Sequence, residues 1–224
     1  MTNIQSTHYL PGCASSMCRP PFSSQVRWQL RYFALVCLIL AGGGLPGCDE
    51  GIDSEQAAED LRIEASRTYA NRLQKELGAR LKSALAAGGP VQAITVCQLE
   101  APAIARALEA EGGPSYVGRT ALKVRNPANG PDDEARAVLA DFEHELTPNA
   151  PPPSRFITQP DGSARYLQAI PMQPLCIACH GTELSTEVSD ALAQRYPQDE
   201  ATGFAVGELR GAFLIEWPAD GPGN

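Results

Sequence analysis

Within the stretch PLCIACHGTE (174–183), three residues have the types and spacing of a working site: Cys176, Cys179 and His180, in the order Cys-x-x-Cys-His. Such a set can bind zinc, cycle as a redox disulfide or carry a covalent haem. A zinc site wants four ligands, and the set available would be Cys97, Cys176, Cys179 and His180; adjacent Cys179 and His180 are poorly placed to face one tetrahedral ion. No second Cys-x-x-Cys pair completes such a site. A thioredoxin-like pair opens a helix directly after a strand in a βαβ unit, whereas this motif follows Pro171 and Pro174 in a stretch that reads as a loop. Haem attachment fits each feature. The spacing sets Cys176 and Cys179 to bond the two vinyl groups, and His180 follows as the proximal iron ligand. The cofactor this implies is one covalent haem c. Gly181 either leaves room beside the porphyrin or is a plain turn residue.

Haem attachment of this kind takes place outside the cytoplasm, so the amino terminus bears on it. Arg27 and Arg31 precede an apolar run, Tyr32 to Leu45, shorter than the roughly 20 residues of a membrane-spanning helix. A basic flank, a short apolar core and small residues read as an export signal. The run closes on Leu45-Pro46-Gly47-Cys48, similar to a lipobox with an unusual proline, which makes Cys48 the expected lipidated first residue. Asp49 behind it is the pattern of inner-membrane retention, so the expected location is the periplasmic side of the envelope. Residues 1–16 resemble no leader, and Met17 as the start would leave a more usual one. Of seven cysteines, four follow the leader: Cys48, Cys97, Cys176 and Cys179. With Cys48 lipidated and two cysteines used as thioethers, Cys97 alone is left in an oxidising compartment.

All 26 acidic residues follow Gly47, while Arg19, Arg27 and Arg31 of the 18 basic ones precede it. The exported segment therefore sets 15 bases against 26 acids, a net charge of −11. Such a chain repels nucleic acid and anionic lipid surfaces.

The elements that must position these residues come in two groups. A short acidic tether (48–54) leads to a long helix over about 54–87, its stripe being Tyr69, Leu73, Leu77, Leu81 and Leu85. Gly88-Gly89-Pro90 ends it and opens a second helix to about Glu111, with Ile94, Cys97, Ala101, Ile104 and Leu108 on one face and a kink expected at Pro102. Ser115–Thr120 reads as a strand. A further helix follows, with Pro131 near its start, acids in its first turn and Ala135, Val138, Leu139, Phe142 and Leu146 inward. Segments 155–158 and 163–170 flank Gln159-Pro160-Asp161-Gly162 as a hairpin. A short helix over 186–196 and an alternating strand, 208–217, close the chain. Helices first and antiparallel strands later make an α+β domain over 55–217, between a leader (1–47) and a tail (218–224).

Arg119, Lys123 and Arg125 place three bases within seven residues of an acidic domain. Their odd numbers put them on one face if the strand continues, and carboxylates such as haem propionates are what such bases would hold; a solvated face is the alternative. His144, off the stripe of its helix, reads as a surface residue. Position alone leaves Cys97 as a small buried hydrophobe or as an iron ligand.

The segments AITVCQLEAPAIA (93–105), VGRTALKVRNPANGPDDEARAVL (117–139), CIACHG (176–181) and RYPQDEATGFAVGELRGAF (195–213) together resemble a family of exported c-type haem proteins. That family is a domain of unknown function from cyanobacteria and proteobacteria. The resemblance implies a PAS-like fold, an antiparallel sheet flanked by helices with haem against it. It also implies Cys97 as the sixth iron ligand opposite His180, and a structural requirement for Arg119, Arg125 and Asn126. Members occur alone or as the sensing part of receptors, and with nothing after Asn224 this chain is expected to stand alone. The function expected is a monohaem c-type cytochrome in one-electron transfer or redox or small-ligand sensing, reporting to a partner in the cell envelope. A haem-dependent, peroxidase-like enzyme and a structural lipoprotein with an incidental motif are the alternatives.

Overall fold

A computed structural model describes residues 50–221. The expected leader, the lipidation site Cys48 and the last residues of the tail lie outside the described residues.

Helix α1 runs Glu50–Thr95, so most of the expected acidic tether is helix already. The apolar stripe is real, with Leu73 and Leu77 buried, but Leu81 and Leu85 are only half-buried. Gly88 (φ −155°, ψ 18°) and Gly89 (φ 71°, ψ −167°) leave helical geometry, so α1 is two helices meeting at a kink. The positive φ at Gly89 is open to glycine and strained for other residues. Pro90 resumes the helix with φ already set.

The kink expected at Pro102 takes another form. Residues Val96–Glu100 make one wide π-helical turn, in which the Ala101 N–H reaches back five residues to the Val96 carbonyl. Pro102, the next residue, has no N–H to continue the ladder. The register slips by one residue just ahead of it, and Cys97 sits in the slipped turn. Helix α2 follows, Ala101–Glu109.

The sheet has four antiparallel strands in the order β1-β4-β3-β2: β1 (Tyr116–Thr120), β2 (Ser154–Thr158), β3 (Ala164–Pro171) and β4 (Leu209–Trp217). The hairpin read from the sequence is β2–β3, with Ser154 opposite Gln168 and Thr158 opposite Ala164. Helix α3, Asp133–Glu145, is capped by Asp132, whose side chain accepts from the Ala135 N–H; Pro131 stands just outside it. Helices α4 (Ile177–His180) and α5 (Thr186–Arg195) lie between β3 and β4 in sequence. The α+β, PAS-like arrangement expected from the sequence is the one adopted.

Helices cover both faces of the sheet. On one face Leu73 of α1 and Leu108 of α2 pack with Val117, Tyr166, Phe213, Ile215 and Trp217. On the other Val138, Leu139 and Phe142 of α3 pack against Leu167, Leu209, Ala212 and Leu214. Each large side chain so buried contributes about 1.5–3 kcal/mol. The indole N–H of Trp217 donates to Ser66 Oγ at 2.8 Å, tying the end of β4 to α1.

Two expectations about the strands fail here. Strand β4 was to alternate buried and exposed positions, yet Gly211 to Ile215 are all buried, because β4 is central and covered on both faces. Arg119, Lys123 and Arg125 were to share a strand face. Pairing with β4 stops at Thr120–Ala212, so Lys123 and Arg125 belong to the loop beyond. That loop turns toward residues 199–201, where the Glu200 N–H donates to the Val124 carbonyl at 2.9 Å.

Candidate functional site

The Cys-x-x-Cys-His run is a compact double turn. A 3₁₀ turn, Pro174–Cys176, leads straight into α4, and Pro at its start costs no hydrogen bond there. In a helical turn, residues three apart lie on one side, and Cys176, Cys179 and His180 all border one cavity. Gly181 closes α4. A Cβ at Gly181 would lie 2.7 Å from both the Ile177 carbonyl oxygen and Cγ2. Its requirement is therefore the close turn onto Ile177, the plainer of the two roles considered.

His180 is fixed from behind. Its Nδ1 is 2.7 Å from the Ala201 carbonyl; a carbonyl only accepts, so Nδ1 carries the hydrogen and Nε2 keeps its lone pair. Burial, with Arg210 and Arg125 nearby, pushes the imidazole pKa down to about 2. The ring is neutral at physiological pH, the form that ligates metals. Its own carbonyl accepts from the Phe204 N–H at 3.0 Å, and the Gly181 carbonyl from the Gly203 N–H at 2.9 Å. Burial raises the Cys179 thiol pKa, opposed by Arg125. A thiol held protonated is unlike the low-pKa nucleophile of a disulfide oxidoreductase.

The cavity has a volume of about 680 Å³, within the roughly 300–1,000 Å³ of small-molecule and cofactor sites. Leu73, Leu77, Leu81 and Leu85 of α1 and Ile94 supply apolar wall. Cys97 lines it from the π turn, half-buried, and Tyr196 from the end of α5. Among the described residues no group of three or more His, Cys, Asp or Glu side chains is placed to hold a metal ion. A large, mostly apolar cleft bordered by two thiols, a neutral imidazole and a third thiol has donors suited to a planar iron macrocycle.

The expected basic residues divide by role. Arg125 is buried and holds three acceptors: Nε donates to Asp199 Oδ2 at 3.1 Å, and one terminal nitrogen to the carbonyls of Cys179 (2.5 Å) and Ala201 (3.2 Å). Lys123 is exposed, donating to the Thr202 carbonyl at 2.6 Å and lying 4.6 Å from the Phe204 ring centre. Asn126 caps the following 3₁₀ turn by accepting from the Ala128 N–H. Arg119 alone of the four has no side-chain hydrogen-bond or ion-pair partner among the described residues, and it borders the cavity. His144 is exposed on α3 and is not part of the lining.

Sequence reasoning missed Arg210. Ile170 pairs with Gly211 and Pro171 with Leu209, so Arg210 is the extra residue of a β-bulge. Bulges re-aim side chains, and this one turns Arg210 to the cavity from a strand read as plain alternation. Its pKa is lowered to about 10 by burial, with Arg119 and Arg125 adding repulsion. It stays charged at neutral pH.

Residues 50–218 match the model of the family described as Tll0287-like. The crystal structure of the cyanobacterial heme-protein Tll0287 is similar at 25% identity and a TM-score of 0.47, over 77% of this chain and 94% of that one. No curated protein matches the chain.

Proposed function

Because the chain belongs to the Tll0287-like family, we propose that it binds one haem c covalently and serves as an exported cytochrome in one-electron transfer or in redox or small-ligand sensing. The observation that carries this reading is the double turn holding Cys176, Cys179 and a neutral, back-bonded His180 on the wall of one apolar cavity. Cys176 and Cys179 would hold the haem by adding S–H across its two vinyl groups, an addition that needs no oxidant. His180 would offer Nε2 to the iron, and its bond to the Ala201 carbonyl holds the ring in place. Cys97, on the wall of the same cavity, would be a further ligand to that iron. A bound haem supplies an iron that takes up and gives back a single electron. The leucines of α1 and Ile94 would give that haem an apolar wall. The family's namesake is titled a heme-protein, in keeping with this assignment.

The peroxidase-like alternative calls for an acid–base group in the cavity. His144, the histidine available from the sequence, does not line it, and Glu109, which does, is held by the Val117 N–H at 2.9 Å.

The test is the double variant Cys176→Ser with Cys179→Ser. Haem stain on a denaturing gel disappears if the two thiols carry the haem, and stain retained there overturns the assignment. The N-terminal sequence supports export and a lipid tether at Cys48, to be checked by whether Cys48→Ala releases the protein from membranes.

A further inference from the structure

Four arginines of the cavity lining have no carboxylate partner among the described residues, although acids outnumber bases in the exported chain; Arg106 and Arg195 are exposed to solvent, whereas Arg119 and Arg210 are half-buried. Arg119 comes from edge strand β1, and its side chain has no hydrogen-bond or ion-pair partner among the described residues. Arg210 comes from the neighbouring strand β4, at the bulge opposite Ile170 and Pro171. Its one hydrogen bond is from Nη1 to the Lys123 carbonyl at 3.2 Å, and its guanidinium lies 5.6 Å from the Phe204 ring centre. Neither contact neutralises the charge. Arg165, by contrast, reaches Asp132, Glu134 and Glu216, and Arg125 reaches Asp199. Leaving two like charges together on a half-buried wall is unfavourable unless an anion completes the arrangement. A bulge that delivers one of them there is a built feature of the strand.

We infer that Arg119 and Arg210 form a carboxylate clamp that receives the propionates of the haem held by Cys176 and Cys179. The inference rests on the haem reading above and gives it an orientation: the thiols take the vinyl edge, and the two arginines take the propionate edge. The planar fork of arginine suits a carboxylate, to which it donates two parallel hydrogen bonds. Lys123, Arg125 and Asn126 have other work. Lys123 and Arg125 are bonded to carbonyls of the 179–202 segment, and Asn126 is a turn cap.

The experiment uses the haem-loaded full chain and the variants Arg119→Gln and Arg210→Gln. Haem stain on a denaturing gel is read first, so failure of the haem reading itself is seen separately as an unstained wild type. With stain retained, the resonance Raman propionate bending band shifts in each variant. The midpoint potential falls, because an uncompensated carboxylate and a lost cation both favour the ferric form. Lys123→Gln, a cation removed from the rim without a clamp role, leaves the propionate band in place. Should a glutamine variant fail to fold, Arg→Lys at the same position keeps the charge, loses the fork and still moves the band. An unchanged band in stained variants at both positions overturns the clamp. So does a wild-type potential that responds to added citrate with a response lost in the variants, since the arginines would then be holding a free carboxylate.

Discussion

Arg125 and His180 converge on one acceptor, the Ala201 carbonyl, at 3.2 Å and 2.7 Å. Asp199 supports the same point, accepting from Arg125 Nε at 3.1 Å and from the Ala201 N–H at 2.8 Å. Arg125 also takes the Cys179 carbonyl. One buried guanidinium thus ties the back of α4 to the 199–201 loop that sets the His180 ring. It is a positioning residue for the site, separated from Asp199 by 74 residues of chain.

Arg125→Gln should therefore be among the most damaging single substitutions. Arg125 and Asp199 are 8% and 9% exposed, so removing one leaves the other buried and unpaired. Breaking a buried pair this way costs about 3–5 kcal/mol. Denaturant unfolding of the wild type, Arg125→Gln, Asp199→Asn and the double variant measures it, and the double variant should lose less than the two singles together. A loss under about 1 kcal/mol, as for an ordinary surface change, would contradict the strut.

Asp132 makes a pH-dependent contribution at the start of α3. The Ala135 N–H bonded to its carboxylate lowers its pKa below the ordinary range, with Arg165 adding and partial burial opposing. A depressed acid stabilises the fold above its unfolded pKa, and the gain is lost as pH falls through the folded value. Asp132→Ala should cost about 1 kcal/mol at pH 7. The gap to wild type should close in acid, once the pH is well below about 4. Urea midpoints of both proteins across pH 3–7 check this, and a gap constant over that range would assign the loss to something other than the cap.

What could be read in advance was what local chemistry decides. The hairpin announced itself by Gln159-Pro160-Asp161-Gly162, the break in α1 by Gly88-Gly89-Pro90, and the grouping of Cys176, Cys179 and His180 on one cavity wall by their spacing. What could not be read depends on neighbours distant in sequence. Strand β4 looks half-exposed alone, yet it lies between β1 and β3 with helices on both faces. Arg210 seemed one of its polar positions until the bulge at Ile170–Pro171 reversed its aim. Arg125 reads as another rim cation until its partner at Asp199 is known. The π turn came close to being legible: Pro102 signals a broken ladder, though not whether the helix bends or widens.

That π turn leads to the last prediction, for Cys97. A wide turn adds a residue to one side of a helix and is a frequent feature of functional sites. Here it brings Cys97 to the cavity bordered by Cys179 and His180, while Val96 beside it is buried in the core with Leu77 and Ala101. Pro102 accounts for the slip itself, and the sixth-ligand reading rests on where the slip puts the Cys97 thiol, at the cavity wall. As the sixth ligand, Cys97 would give its charge to the ferric iron and hold the potential below that of a His/Met site. Cys97→Ala should then raise the midpoint potential and shift the ferric Soret and near-infrared bands, with haem stain undiminished because Cys176 and Cys179 are untouched. Cys97→Ser, which nearly keeps the volume, separates ligation from packing: its spectrum should depart from wild type while its denaturant midpoint stays close. If both variants keep the wild-type bands and potential, Cys97 is a core thiol and the iron takes its sixth ligand from elsewhere.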